Sequence, residues 1–240
     1  MKRFLQRIAN AWGYECRRMS ACNENDPFVF AKRLIQASQP VLLDVGAHHG
    51  QTAMRLRELF PAAMIHCFEP FPESYAVLKG ATEADSRVRR HRLCLSGWTG
   101  TATMKCNAST ATNSLLETDC RASDTWGDGL LDTNARIEVA TKTLDAFCND
   151  ESLDCIDLLK IDTQGAEYNV LEGAADMLSR RAVAVLVFEL ITATTYEQQR
   201  LPSEYFALLE SRGYVFSGVF SPIYRRGLLA QCDVAFTPRD

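Results

Sequence analysis

The chain has 240 residues, 47% of them hydrophobic and 23% charged, which is enough apolar matter for a single α/β domain with a full core. Its formal net charge of -4 excludes the basic footprint of a general nucleic-acid binder, and no nucleic-acid partner is expected. No apolar run approaches the roughly 20 residues of a membrane span, and no secretory signal pattern is visible.

Residues 1–39 read as an N-terminal helical extension and residues 40–240 as the main domain. Phe4, Leu5, Ile8 and Trp12 share one face of a basic amphipathic helix, with Lys2, Arg3, Arg7, Arg17 and Arg18 around it. Such a helix either packs over the open end of the domain or makes a peripheral membrane contact. Asp26 and Pro27 open a second helix that ends before Pro40. Val41 to Val45 reads as a buried strand, Gln51 to Phe60 as a helix, and Met64 to Phe68 as the next strand. Pro72 starts a helix that Gly80 is expected to end, and Val88 to Leu95 reads as a third strand. Thr101 to Cys106 and Arg136 to Thr141 read as further strands. Between them the polar segment from Asn107 to Asn134 has the length of a lid or binding loop. Thr143 caps a short helix, and Ile156 to Asp162 is a strand followed by one helix reaching Ser179. Val183 to Phe188 is a strand ending at Glu189. A helix from Pro202 to Arg212 and two closing strands, Tyr214 to Phe220 and Cys232 to Phe236, complete the chain. Strands alternating with helices imply one mostly parallel sheet, covered on both faces. Nine scattered cysteines, several inside the apolar strands and none in a C-x-x-C pair, fit a reduced, cytoplasmic protein without a zinc site.

Open α/β sheets bind ligands beyond the carboxyl ends of their strands, and acids gather there in this chain. Asp44-Val45-Gly46-Ala47-His48-His49-Gly50 is a strand-to-helix glycine turn. Gly46 permits the tight turn, and Gly50 permits a ligand to approach the helix start. His48 stands where a dinucleotide fingerprint has its second glycine, so a ligand without phosphates such as S-adenosylmethionine fits better than NAD. Asp44 is placed to meet the ammonium group of such a ligand. Glu69, ending the next strand, is placed for the ribose hydroxyls, and Ser96, after the third, for an adenine ring. Asp162 and Glu189 end two further strands. Methyl transfer to an alcohol benefits from a base or a metal, so these carboxylates are candidates for proton abstraction or substrate positioning. They are also the pair that would hold Mg²⁺ if the reaction uses one. His48 is a third candidate base. Asn113 and Ser114 in the polar loop, with Gln164 and Tyr196, are candidate contacts for a hydroxylated substrate.

The segments Leu43 to Gln51, Phe68-Glu69-Pro70, Thr143-Leu144-Asp145 and Ile156 to Ala174 together resemble the FkbM family of S-adenosylmethionine-dependent methyltransferases. The ending Gln231 to Phe236 is similar to that family's final strand. Lys160-Ile161-Asp162-x-Gln164-Gly165-x-Glu167 is the most specific part of the match. The resemblance implies a Rossmann-like class I methyltransferase fold and an O-methyltransferase acting on a hydroxyl of a sugar, glycoside or secondary metabolite. It also implies that Asp44, Gly46, Gly50 and Glu69 bind the cofactor. Two positions bear on the site: members usually carry Asn where His48 stands, and Gln164 is one of two common forms there, Glu being the other. The competing readings are an NAD-dependent oxidoreductase on the same fold and a noncatalytic membrane-surface protein with a vestigial pocket. The oligomeric state is left open.

Overall fold

The computed structural model describes residues 25–239, so the basic helix expected between Lys2 and Arg18 lies outside the described residues. The chain enters through α1 (Pro27–Leu34), where the Asp26 carboxylate accepts hydrogen bonds from the Phe28 and Val29 backbone N–H groups. Then follow β1 (Val41–Val45), α2 (Gln51–Leu59), β2 (Met64–Phe68), α3 (Pro72–Thr82) and β3 (Val88–His91). A small excursion comprises β4 (Cys94–Leu95), β5 (Gly100–Asn107), α4 (Ala122–Trp126) and β6 (Thr133–Lys142). After α5 (Leu144–Glu151) the chain returns as β7 (Ile156–Ile161), α6 (Glu167–Glu172), α7 (Ala175–Ser179) and β8 (Val183–Ile191). It closes with α8 (Pro202–Ser211), β9 (Tyr214–Arg225) and β10 (Leu228–Pro238).

The main sheet has seven strands in the order β3-β2-β1-β7-β8-β10-β9. The first five run parallel, and β10 is antiparallel to both of its neighbours. β1 leads outward to β2 and β3 on one side, whereas β7 leads to β8 on the other. The order therefore reverses between β1 and β7, which makes their carboxyl ends the binding crevice of this architecture. Alternate strand residues serve two cores. Leu43, Leu159 and Leu186 face α5 to α8, while Leu42, Leu158 and Val185 face α1 to α3. A second sheet, β4-β6-β5, stands beside the crevice.

Several element boundaries differ from expectation; β9 runs on to Arg225 and β10 starts at Leu228 and ends at Pro238, and four further differences have particular causes. Gly80 does not end α3; it has free space around it, and the helix runs on to Thr82, whose hydroxyl donates to the Leu78 carbonyl. The stretch from Val88 to Leu95 is two strands because β3 pairs with β2 in the main sheet and β4 with β6 in the small one. The helix after β7 is two helices. A Cβ at Gly173 would stand 2.1 Å from the Ser96 carbonyl oxygen, and the Asp145 carboxylate accepts from the Asp176 and Met177 N–H groups to start α7. Finally, β8 continues through Glu189 to Ile191, because β10 pairs with it along that length and sets Glu189 opposite Asp233. Glu189 is thus an interior strand residue, not a strand end.

Candidate active site

The parallel register brings the first charges together. Asp44 on β1 pairs with Lys160 on β7, and Leu42 and Leu158, two residues before them, share their face. The Lys160 ammonium lies 2.9 Å from Asp44 Oδ1, 3.8 Å from Asp162 Oδ2 and 3.0 Å from the Gly46 carbonyl oxygen. Burial alone would lower this ammonium, but Asp44 and Asp162 outweigh it and hold Lys160 above the ordinary lysine value. Asp44, fully buried, already has its cation in Lys160 and does not line the cavity described next.

That cavity, of about 260 Å³, opens beyond the carboxyl ends of β1, β2 and β7. Gly46 lines it with φ +76°, and a Cβ there would collide with the Asp162 carbonyl oxygen at 1.8 Å. The glycine is therefore required by the close packing of two strand ends as well as by the turn. Gly50 has φ +89°, but its open side faces the Leu78 side chain of α3. It admits a helix, not a ligand, and does not line the cavity.

At one end of the cavity stands Glu69, almost fully buried. Its Oε2 accepts from the His48 N–H and its Oε1 from the Phe71 N–H, both at 2.9 Å. Burial raises this carboxyl above the usual carboxylate range, and the two N–H groups oppose the shift. Each Glu69 oxygen keeps a lone pair free for a ligand hydroxyl. Leu93, Cys94, Leu95 and Met104 form an apolar slot beside it. Ser96, expected at this position, is buried one residue farther on against Gly173 and does not reach the cavity. The slot is made by the residues just before it.

The polar loop expected between Asn107 and Asn134 folds over the opening. Thr110, Ala111, Asn113 and Leu115 line the cavity, and His48 Nε2 meets the Thr110 hydroxyl at 2.9 Å. His48 also stacks on His49, and burial, followed by the His49 charge, lowers its pKa. Asn113 Oδ1 accepts from the Asn107 N–H, while its Nδ2 is buried without a partner among the described residues. A buried amide donor left without a partner is expensive. Ser114 does not line this cavity; its hydroxyl donates to the Gln164 carbonyl at 2.6 Å and so ties the loop to the turn after β7.

At the other end, the Gln164 amide donates to Asp162 Oδ1 and to Glu189 Oε2, each at 2.9 Å. Its Oε1 lies 3.0 Å from the Tyr196 hydroxyl. Gln164 and Tyr196 thus brace the carboxylates, and Tyr196 is buried away from this cavity. Glu189 is satisfied on its other oxygen by Gln231 Nε2. Burial, with Asp162 and Glu167 nearby, raises its carboxyl well above the usual range. Glu167 Oε1 accepts from the Thr163 and Gly165 N–H groups, so it shapes the turn, and burial lifts its carboxyl to about 7. Asp162, Glu167 and Glu189 offer oxygens within 4.8 Å of one another. The Gln164 amide and the Thr163 and Gly165 N–H groups already donate to one oxygen of each, and Gln231 to the second oxygen of Glu189, so the set is held together as a hydrogen-bonded cluster and lends Mg²⁺ no support.

Of the residues named from sequence, Gly46, His48, Glu69, Asn113, Asp162 and Gln164 line the cavity. Asp44, Ser114 and Glu189 support its walls, and Gly50 and Ser96 stand off. Lys160 was missed. Its signal was a cation between the apolar residues Leu159 and Ile161 of its strand, in register with the Asp44 carboxylate of the neighbouring one.

The model of the methyltransferase FkbM domain matches residues 44–216. The 2-O-methyltransferase NoeI of Sinorhizobium fredii is 29% identical over 153 residues, 61% of this chain and 62% of that protein, so the match spans less than two thirds of the relative. Methyltransferase sdnD of Sordaria araneosa is 28% identical over 198 residues, 74% of each chain. An rRNA methylase from Streptococcus thermophilus shares the fold at a TM-score of 0.52 and 10% identity, covering 90% of this chain and 99% of that one. An S-adenosylmethionine-dependent methyltransferase from Listeria monocytogenes, described as putative, does so at 0.51 and 8%, covering 89% and 98%. With the crevice at the β1/β7 reversal and a match over most of its length, the chain belongs to the FkbM family of methyltransferases, with the α/β fold of class I enzymes.

Proposed function

We propose that the protein transfers a methyl group from S-adenosylmethionine to a hydroxyl oxygen of a sugar, glycoside or other small metabolite. The observation that carries this is the single cavity that has Glu69 at one end and Asp162 at the other, across the reversal of strand order. The donor set suits the cofactor. Glu69 has lone pairs for ribose hydroxyls, and the slot at Leu93 to Leu95 takes a flat base. When bound, S-adenosylmethionine supplies an electrophilic methyl group. Asp162 orients the acceptor hydroxyl and takes its proton, and the loop at Thr110 to Leu115 excludes water. The relative named a 2-O-methyltransferase supports oxygen as the acceptor atom. An oxidoreductase is disfavoured by His48, which stands at φ +45° in the glycine turn with its ring bonded to the loop. The membrane-surface reading rests on residues outside those described, and no helix among the described residues is long and apolar enough to cross a membrane.

Calorimetry with S-adenosylmethionine, followed by methyl transfer from labelled cofactor to a panel of glycosides, tests the proposal. Binding that weakens about tenfold or more in Glu69→Ala is expected, since a hydrogen-bonded charged partner is lost. Absence of binding at millimolar cofactor would overturn it.

A further inference from the structure

Next to the cofactor cavity lies a second cavity of about 280 Å³, with Gln164 and Ala111 in the wall common to both. Glu189, Tyr196 and Gln231 line its inner end, and Trp126 and Arg225 line its outer end. Most of its polar groups are already engaged. Gln164 and Gln231 donate to Glu189, and the Trp126 indole N–H donates to the Thr195 hydroxyl at 2.8 Å. Arg225 differs. Its guanidinium lies 5.6 Å from the centre of the Trp126 ring, and it forms no ion pair among the described residues. Its one hydrogen bond there is to the Tyr224 carbonyl at 3.3 Å. A cation held against an indole, with its N–H fork uncommitted, is built to receive an anion with two acceptor oxygens.

We propose that this second cavity is the acceptor site, and that it selects a sugar-sized acceptor carrying an anionic group, carboxylate or phosphate, held by Arg225. The inference rests on the methyl-transfer reading for the acceptor's reacting hydroxyl. The anionic group stays at the outer end, by Trp126. The hydroxyl enters past Gln164, whose amide now donates to both Asp162 and Glu189 from the wall shared by the two cavities. Arg225 acts here as a specificity determinant and takes no part in methyl transfer.

The test uses the full chain with S-adenosylmethionine present. The indole N–H resonance of Trp126, identified by its loss in Trp126→Phe, is followed during titration with glucuronate, glucose 6-phosphate and neutral glucose. At least one of the two anions is expected to bind about tenfold or more tightly than glucose, and Arg225→Gln is expected to remove that preference. Arg225 is exposed at the end of β9, so its replacement leaves the core intact, and cofactor calorimetry on the variant checks this. Equal or absent binding of all three sugars, or an anion preference that survives in Arg225→Gln, overturns the acceptor inference while cofactor binding stands. Loss of cofactor binding in the unaltered protein instead overturns the methyltransferase reading itself.

Discussion

Gly46 and Lys160 show how single residues hold the cavity wall. A Cβ at Gly46 would meet a backbone carbonyl that cannot swing aside, at a φ that side chains rarely adopt. Gly46→Ala is therefore expected to cost on the order of 3 kcal/mol, combining backbone strain with overpacking, read as a lower midpoint in urea unfolding. Lys160→Met leaves the Asp44 carboxylate buried without its cation. The expected loss is about 3–5 kcal/mol, and the double variant Asp44→Asn with Lys160→Met should recover part of it. An additive double variant would show that the pair is not coupled. Glu69 and Asp162 were legible in the sequence because each follows an apolar run of strand length and precedes a turn. Glu189 was legible as an acid near a strand but not as an interior residue, since the strand's end is set by pairing with β10, far away in sequence. Ser96 and Gly50 were misplaced for a related reason: which face of a turn meets the cavity depends on what packs behind it, here Gly173 and Leu78.

At the scale of elements, β2 and β3 are joined by a histidine pair, His66 buried and His91 half-buried. His66 Nδ1 lies 3.2 Å from His91 Nε2, the rings are nearly parallel, and Phe147 meets both edge-on. Burial, then the neighbouring His91, lowers His66 to about 4. An unfolded chain protonates this imidazole at about 6.5 while the fold holds it neutral until near 4, so its contribution to stability is complete above 6.5 and is lost as pH falls toward 4. The loss down to pH 4 is on the order of 3 kcal/mol. His66→Gln is expected to flatten that part of the stability curve, measured as urea midpoints between pH 7 and pH 4; an unchanged slope would place the acid sensitivity elsewhere. The alternation of strands and helices was readable because strand runs and capping residues are local signals. The breaks at Arg92-Leu93 and at Gly173 were not. One is a change of sheet and the other a close approach of Gly173 to the Ser96 carbonyl that leaves no room for a side chain, and neither leaves a periodicity in the chain.

For the molecule as a whole, the reversal of strand order, the folded-over loop and the two adjoining cavities assign different work to residues close in sequence. Glu167 is consumed by backbone N–H groups of its turn, whereas the described partner of the Asp162 carboxylate, besides the distant Lys160 charge, is the amide of Gln164. Asp162 is thus not acting as the cap of α6, and its oxygens remain in the cavity wall. If it takes the acceptor proton, Asp162→Asn removes the base but preserves shape and most hydrogen bonding. Turnover should then fall about 100-fold or more, the usual worth of a positioned base, while the calorimetric affinity for S-adenosylmethionine stays within about threefold. A matched loss of cofactor affinity and turnover would instead make Asp162 a binding residue. Gln164→Ala separates the two ends differently. It leaves two carboxylates facing each other without the amide between them, so Glu189, already raised by burial and by Asp162, is pushed to hold its proton more firmly. The pH profile of that variant should therefore be shifted relative to the parent's, and a profile identical to the parent's would show that Glu189 and Asp162 do not communicate through Gln164.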